Sequence, residues 1–429
     1  MSLVLKGARL IDPQVNIDGI FDVEIQGEKI ANIAKNLEVE SAHVVDLSGK
    51  ILIPGLCDVH THLREPGFEH KETIYTGSCA AAKGGYTTIC AMPNTNPCIH
   101  DAVGVEFVKA AAKSAKCQVV SSGACTKEQA GEQLADIGDM YAHGVRVFTD
   151  DGHGIQKAGI ARLVMDYSTQ FDCTIMVHAQ DNSLAGAGQV NEGVVSTRLG
   201  LLGWPAEAEE IAIARDIALA RLTGAKLHIQ HITTARGLAL VKAAKAEGLP
   251  ITCEATPHHM FLTECDIDDT YPTSLKVNPP LRTKQDAAAL IDGLIDGSVD
   301  MISTDHAPHA QHEKAQEFEL APFGMTGLES ALAAVLTNLV ATKKMSYARL
   351  VQVMSVKPRK LLRLEPVKLE VGSDACLTAF DPNETWVCGK GGYASRASNC
   401  GFDGKKFTGR ATDVFVCGKQ TLRNGVICE

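Results

Sequence analysis

The strongest constraint on the fold is a short apolar segment that recurs through the middle of the chain. Eight such segments occur, at residues 56–61, 86–91, 117–122, 144–149, 173–178, 226–231, 250–254 and 300–304. Helix-like stretches such as "EAEEIAIARDIALARLTG" lie between most of them. Because buried parallel strands are nearly continuous apolar runs that alternate with helices, the pattern predicts an α/β fold with a (β/α)8 (TIM) barrel. If one of these strands is wrong, a seven-stranded doubly wound sheet is the alternative.

The two ends of the chain have a different pattern. Short alternating segments broken by turn signals occur in "FDVEIQGEKIANI" and in "DVFVCGKQTLRNGVI", and both indicate antiparallel strands. Neither end is long enough for a stable sheet with its own core. We therefore predict that residues 1–55 and 366–429 pair into one small β-sandwich, with the barrel of residues 56–365 inserted between them.

Charge and cysteine usage exclude several classes of protein. The net charge of −10, with no basic stripe, argues against a nucleic-acid partner. No apolar run approaches the roughly 18 residues of a membrane span, and the first residues lack a signal-peptide layout. The 14 cysteines are scattered, without a CxxC pair, as is typical of reduced thiols in a protein core. These features predict a cytoplasmic protein.

Metal-type ligands stand at the ends of five of the predicted strands. They are His60 and His62, Asp150 and Asp151, His178, His231, and Asp305. In a (β/α)8 barrel the carboxyl ends of the strands meet at one face, where catalytic groups lie. Since residues i and i+2 of a strand share a face, His60 and His62 should project together. Imidazoles and carboxylates suit zinc, and six ligands fit two ions bridged by a carboxylate better than one tetrahedral ion.

Each of these residues also has an ordinary interpretation. A lone histidine at a strand end is usually structural, the Asp150-Asp151 pair before Gly152 is a turn signal, and Asp305 could cap a helix. Their joint placement at one predicted face favours a metal site. Spacing alone does not choose between Asp150 and Asp151. No role is predicted for His43, His70, His100, His143, His153, His228, His258, His259, His306 or His312.

Six motifs together resemble the dihydroorotase family of the amidohydrolase superfamily, in its long bacterial class I form. They are "DVHTHLREPG", "AMPNTNP", "FTDDG", "MVHAQD", "NPPLR" and "STDHAPH", and the resemblance covers essentially the whole chain. It implies a hydrolase that reversibly cyclises N-carbamoyl-L-aspartate to (S)-dihydroorotate and water in pyrimidine (UMP) biosynthesis.

The resemblance also implies a binuclear zinc centre with two ions per subunit. His60, His62 and Asp305 would hold the first ion, and His178 and His231 the second. Related hydantoinases bridge the ions with a carboxylated lysine, but "GVRVFTDDG" has no lysine. By the family pattern Asp151 would be the bridging carboxylate.

The substrate contacts implied by the resemblance come from separate motifs. Arg64, Asn94 and His309 would bind the substrate carboxylate, and Arg64 offers a planar fork suited to it. His62 would also face the substrate. Asn278 and the backbone of Phe323 and Gly324 would border the ring, and Asp305 would move the proton during catalysis. For Asn94 and Asn278, turn chemistry beside proline is the alternative.

Other functions remain open at this point. Hydantoinase and allantoinase are the rival enzymes, although the absent lysine argues against a hydantoinase. A metal-poor relative that only supports aspartate transcarbamoylase should lack ligands, whereas all six positions are filled here. The resemblance implies a homodimer and aspartate transcarbamoylase as a partner. The charged residues 310–322 would form either a lid or an ordinary solvated loop.

Overall fold

The structure, a computed structural model, describes residues 2–40 and 42–429 and begins with short β-strands. They are β1 (Ser2–Asp12), β2 (Ile17–Gln26), β3 (Lys29–Ala34), β4 (His43–Asp46) and β5 (Ile51–Pro54). β1 pairs with β2 along its length, and the register shifts between Leu5 and Ala8. Gly7 lies at this bulge with φ +74° and donates its N–H to Asp22 Oδ1 at 2.8 Å. The bulge lets the first half of β1 pair with β4 and its second half with β5.

The barrel strands follow, together with one small pair that lies outside the barrel. They are β6 (Leu56–Thr61), β7 (Tyr86–Ala91), β8 (Gln118–Ser121), β9 (Val147–Phe148), β10 (Thr174–Val177), β11 (Val190–Asn191), β12 (Gly203–Trp204), β13 (Leu227–Ile229), β14 (Ile251–Ala255) and β15 (Met301–Ile302). Parallel pairing joins β6 to β8 through β7, and β9 to β15 through β10, β13 and β14, while β11 pairs with β12. Bridges from Gly123 to Phe148 and from Thr61 to His306 join the two sheets. The predicted (β/α)8 barrel is confirmed.

Helices cover the outside of the barrel. They are α1 (Ile74–Gly84), α2 (Ala102–Ala111), α3 (Ile137–Ala142), α4 (Ala158–Ser168), α5 (Asn182–Ala185), α6 (Val194–Leu199), α7 (Glu207–Thr223), α8 (Ala235–Ala246), α9 (Pro257–Phe261), α10 (Lys284–Asp296), α11 (Gln311–Lys314), α12 (Leu328–Val335), α13 (Tyr347–Val351) and α14 (Lys357–Leu361). π-helical turns at 336–340 and 352–356 continue α12 and α13. α7 buries Ala212, Asp216 and Ala220, four residues apart, on one face. α7 contacts β13 and its neighbours α4 and α8.

The last strands return to the first ones. β16 (Leu377–Val387), β17 (Lys406–Val416), β18 (Lys419–Arg423) and β19 (Val426–Ile427) extend the terminal sheet in the order β19-β18-β17-β16-β5-β1-β2-β3. β16 runs antiparallel to β5, from Leu377 opposite Pro54 to Phe380 opposite Ile51. Leu10 from the first end and Phe415 from the last share one buried core. The prediction that the two ends build one β-domain is confirmed.

Two further expectations concern the whole chain. Within residues 2–40 and 42–429, no helix is both long and apolar enough to cross a membrane. The cysteines are unpaired, and most of them are buried. Their role as small core residues, predicted from the apolar surroundings, is confirmed.

Candidate metal centre and active site

The carboxylate of Asp151 lies between two pairs of imidazoles. On one side, Nε2 of His60 is 3.3 Å from Oδ1 and Nε2 of His62 is 3.4 Å from Oδ2. On the other side, Nδ1 of His178 and Nε2 of His231 lie 3.5 and 3.6 Å from Oδ1. The barrel thus brings the ends of its first, fourth, fifth and sixth strands to one point.

The donor atoms of this cluster fit two metal ions that share Asp151. His60, His62 and Asp151 form one group whose ligand atoms lie within 4.8 Å of one another, and Asp151, His178 and His231 form a second. His60 Nε2 and Asp151 Oδ1 are buried, yet neither has a hydrogen-bond partner among the described residues. Buried polar atoms are normally satisfied, so this pair of atoms indicates a ligand site. Nitrogen and carboxylate donors suit a divalent transition metal.

Asp305 approaches the same cluster from the end of β15. Its Oδ1 is 3.0 Å from His62 Nε2 and 3.5 Å from His60 Nε2. Its backbone has φ +46°, in the left-handed region that non-glycine residues rarely adopt. Strained backbone of this kind concentrates at functional sites, because the surrounding structure must hold it.

Asp150, the neighbour of Asp151, has a different set of contacts. Its carboxylate accepts hydrogen bonds from the N–H groups of Cys125 and Thr126, at 2.9 and 3.0 Å, and from the Thr126 hydroxyl. Asp150 therefore holds the loop after β8. The choice that spacing left open is made by geometry, which places Asp151 among the imidazoles.

The buried charges of the cluster shift one another's pKa values. Burial alone would lower the pKa of His60, but the carboxylates of Asp151 and Asp305 raise this pKa well above its ordinary value. Burial opposes ionisation of Asp151 and Asp305, but the imidazoles, His60 first, hold the pKa of each carboxyl well below its usual range. Both carboxylates are thus anionic at neutral pH. A cation that binds here competes with a proton on His60.

The residues predicted to contact substrate lie around Arg64. Its Nε donates to Pro308 O at 3.2 Å, and its Nη2 is 3.5 Å from His309 Nε2. Burial lowers the pKa of Arg64 to about 10, so the guanidinium keeps its charge at neutral pH. His309 Nε2 donates to Phe323 O at 2.8 Å, and Asn94 Oδ1 accepts from His62 Nδ1 at 3.0 Å. Asn94 is therefore connected directly to the metal cluster.

Gly324 lies where its backbone must approach the loop after β15. Its φ is +130°, and a Cβ at this position would be 2.8 Å from the Cβ of Ala307. Its N–H donates to Lys276 O at 2.8 Å, two residues before Asn278. Asn278 Oδ1 is buried, without a hydrogen-bond partner in the described part of the chain. Among the described residues, the Asn278 side-chain oxygen forms no hydrogen bond with Arg64 or His309.

Residues 310–322, predicted as a lid or a solvated loop, include α11; Lys276 anchors them from outside, and Lys314 braces them internally. Lys276 Nζ donates to the carbonyls of Phe318 and Glu319 at 2.8 and 2.9 Å. Lys314 Nζ donates to Pro322 O at 2.7 Å. The segment is therefore tied to the rest of the chain through its carbonyls as well as through the buried ring of Phe318.

Sequence reasoning missed residues that hold these groups in place. Asn399 accepts from His309 N and donates to the carbonyls of Ala307 and Gly324, each at 3.1 Å. No motif marks Asn399, which lies far along the chain in the C-terminal segment. Glu254 is 2.7 Å from His60 Nδ1. A signal for Glu254 did exist, because the seventh apolar segment also ends in a carboxylate.

Comparisons with known proteins agree with this arrangement. A family model described as "Dihydro-orotase-like" matches residues 49–236. Curated relatives named "Dihydroorotase" include one from Pelotomaculum thermopropionicum, 42% identical with 100% of each chain covered, and one from Solibacter usitatus, 43% identical with 97% of each covered. The chain belongs to the dihydroorotase family. The resemblance seen in the sequence motifs is confirmed, and as a dihydroorotase the chain is a cyclic amidohydrolase with a metal centre.

Solved structures of similar fold come from neighbouring amidohydrolases. The L-hydantoinase (dihydropyrimidinase) from Arthrobacter aurescens matches with a TM-score of 0.89 at 26% identity, covering 100% of this chain and 97% of its own. The D-hydantoinase from Thermus sp. matches with a TM-score of 0.86 at 26% identity, covering 99% and 96%. These structures share the architecture of the dihydroorotase chain, while its higher identity is to dihydroorotases.

Proposed function

We propose that this chain is a zinc-dependent dihydroorotase that reversibly cyclises N-carbamoyl-L-aspartate to (S)-dihydroorotate and water in de novo pyrimidine biosynthesis. Full-length identity to curated dihydroorotases supports the reaction. The observation that carries the mechanism is the Asp151 carboxylate among four imidazoles, with Arg64 and His309 nearby. A cation site beside a carboxylate-binding guanidinium suits a substrate that is both an amide and an acid.

The metal would be held by residues from five strand ends. In this proposal one zinc takes His60, His62 and Asp305, the second takes His178 and His231, and Asp151 bridges them. When bound, two such ions lower the pKa of water toward about 7 and polarise the carbonyl that is attacked. The protein's contribution is to hold six deprotonated ligands in one buried place.

Arg64, Asn94 and His309 would bind the substrate carboxylate that does not react. The Arg64 guanidinium can donate two parallel hydrogen bonds to it. In this proposal Asn278 and the Phe323–Gly324 backbone border the ring, and His62 faces the substrate as well as the metal. Fixing the carboxylate orients the reacting amide and so contributes to both rate and specificity.

Asp305 would carry the proton. In hydrolysis its carboxylate accepts a proton from the attacking water and delivers it to the leaving ring nitrogen. In cyclisation it removes a proton from the ureido nitrogen, which attacks the substrate carboxylate carbon. Asp305 then passes this proton to the carboxylate oxygen that leaves as hydroxide, and a proton from solvent converts the hydroxide to water. Because His60 and His62 keep the pKa of Asp305 low, the carboxylate is ionised and ready to accept.

The test pairs metal content with turnover. Protein stripped with a chelator should not turn over N-carbamoyl-L-aspartate, and activity should return as zinc approaches two equivalents per chain. Full activity of verified metal-free protein would contradict the proposed role of zinc. Faster turnover of uncharged hydantoins or allantoin than of dihydroorotate would contradict the proposed substrate.

Assembly and location are proposed from the family resemblance alone. We propose a homodimer in the cytoplasm that also binds aspartate transcarbamoylase. Sedimentation of the purified chain, alone and mixed with the transcarbamoylase of the same organism, tests the dimer and the binding of the transcarbamoylase. A monomer that sediments independently of the transcarbamoylase would contradict them.

A further inference from the structure

Glu254 lies fully buried beneath the metal cluster, at the end of β14. Its Oε1 is 2.7 Å from His60 Nδ1 and accepts the backbone N–H of His231 at 3.3 Å. Its Oε2 is 3.0 Å from His228 Nε2, and His228 Nδ1 is 2.7 Å from the Thr252 hydroxyl. Glu254 and His228 are both 0% exposed. One carboxylate therefore contacts one proposed ligand of each ion.

The contact with His60 decides which nitrogen carries the proton. A carboxylate can only accept, so Nδ1 of His60 must carry the hydrogen that faces Glu254. The lone pair of a neutral His60 is then on Nε2, the atom that points at Asp151 and has no hydrogen-bond partner among the described residues. This is the tautomer that a metal ligand through Nε2 requires.

One neighbouring group competes for the same nitrogen. Gln230 Nε2 lies 3.3 Å from His60 Nδ1, and Gln230 Oε1 accepts from the Thr149 hydroxyl, which turns the amide NH2 toward the ring. A hydrogen bond from this NH2 would favour the opposite tautomer. The Glu254 contact is 2.7 Å long, against 3.3 Å for the Gln230 contact, and it is charge-assisted. The Glu254 contact therefore dominates.

The contact with His231 explains a strained backbone. His231 has φ +29°, a conformation that costs energy for a non-glycine residue. In this conformation its N–H points back to Glu254 while its Nε2 reaches Asp151. Glu254 therefore supports the turn that directs the His231 ring toward Asp151.

We propose that Glu254, held by His228, is a positioning residue that keeps hydrogen on Nδ1 of His60, so that Nε2 is the nitrogen that exchanges its proton for a metal ion, and that it also holds the backbone of His231 in place. This inference rests on the proposed metal centre and adds to it a residue outside the ligand set. Hydrogen-bond partners of ligating histidines typically change metal affinity by about 10–100-fold when mutated. Loss of Glu254 should therefore weaken zinc binding by about that factor.

The experiment measures zinc affinity by competition with a chromophoric chelator, without using turnover. Glu254→Gln keeps the shape but leaves either His60 or His228 facing an NH2 group, and we expect affinity to fall about 10–100-fold. Glu254→Asp keeps the charge but withdraws it by one methylene, and we expect a smaller loss. The matched control is Asp413→Asn, because Asp413 is equally buried but pairs with Lys50 in the terminal sheet at 2.9 Å.

The outcomes separate this inference from the proposed function. Unchanged zinc affinity in both Glu254 variants would overturn the positioning role while leaving the metal centre intact. An equal loss in Asp413→Asn would also overturn it, since the effect would then follow general destabilisation. If Glu254→Gln does not fold, the Glu254→Asp affinity decides. A wild-type chain that binds no zinc would instead contradict the proposed metal centre itself.

Discussion

Replacing Arg64 by glutamine should distinguish acidic from uncharged substrates. The side chain of Arg64 is half-buried, with Nη2 3.5 Å from His309 Nε2. A hydrogen bond to a charged group contributes about 1.5–3 kcal/mol, so a two-pronged contact with the substrate carboxylate is worth about 3–6 kcal/mol before desolvation costs. Taking about 3 kcal/mol as the net loss, kcat/KM for dihydroorotate should fall about 10²-fold.

The assay compares two substrates in the same protein. Steady-state kinetics with dihydroorotate and with an uncharged hydantoin give two values of kcat/KM for wild type and for Arg64→Gln. The hydantoin has no carboxylate for Arg64 to bind, so its kcat/KM should fall less than about tenfold. Arg64→Lys is the matched control, because it keeps the charge and loses the planar fork, and its loss should be intermediate.

An equal loss on both substrates would refute this reasoning. Arg64 Nε also donates to Pro308 O at 3.2 Å, so its removal could act by releasing the loop that carries His309. That structural effect would slow every substrate alike. Thermal unfolding of Arg64→Gln checks this alternative, because release of the loop should also lower the melting temperature.

Four further changes should have separable effects. Asp305→Asn should keep the fold and lose about 10²–10⁴-fold in turnover, because an amide cannot accept the proton. Asp150→Ala should destabilise the chain, since each buried donor left unpaired costs about 1–3 kcal/mol, but this variant should still bind zinc. Asp151→Ala should instead lose zinc. Gly324→Ala should cost roughly 1–3 kcal/mol and raise KM, because φ there is +130°. Burial raises the pKa of Asp58 to about 7, so folding favours its proton. Its contribution to stability is complete below about pH 4 and lost as the pH rises to about 7.

Each of these predictions has a measurement that could contradict it. Near wild-type turnover of Asp305→Asn would remove that residue from proton transfer. For the two neighbouring aspartates, the predicted difference in zinc binding would be contradicted if zinc titration showed that Asp150→Ala lost metal or that Asp151→Ala still bound two equivalents of zinc. An unchanged melting temperature and KM for Gly324→Ala would show that the loop can move. In metal-free Asp58→Asn protein, the melting temperature should vary less with pH between pH 5 and 8 than it does in the wild type. An unchanged pH dependence would refute the raised pKa assigned to Asp58.

The sequence by itself determined the architecture. Strand periodicity and alternation with helices are local properties, and the rule that parallel strands close with their carboxyl ends on one face turned them into a barrel. The same reasoning marked the ends of β6, β9, β10, β13 and β15 as places for ligands. Pairing of the chain ends also followed from their strand pattern and length, because neither end was long enough to bury a core alone. The family motifs then supplied the reaction.

Tertiary structure decided which side chains meet. Spacing could not separate Asp150 from Asp151, because the choice depends on backbone donors at residues 125 and 126, which come from another strand end. Asn399 joins the His309 loop from 90 residues away, and nothing in its local sequence indicates this. Glu254 carries a visible signal, yet its role depends on His60, 194 residues distant. Local propensity fixes the elements, but hydrogen-bond partners in a buried site are set by long-range packing, which a single sequence does not encode in any local pattern.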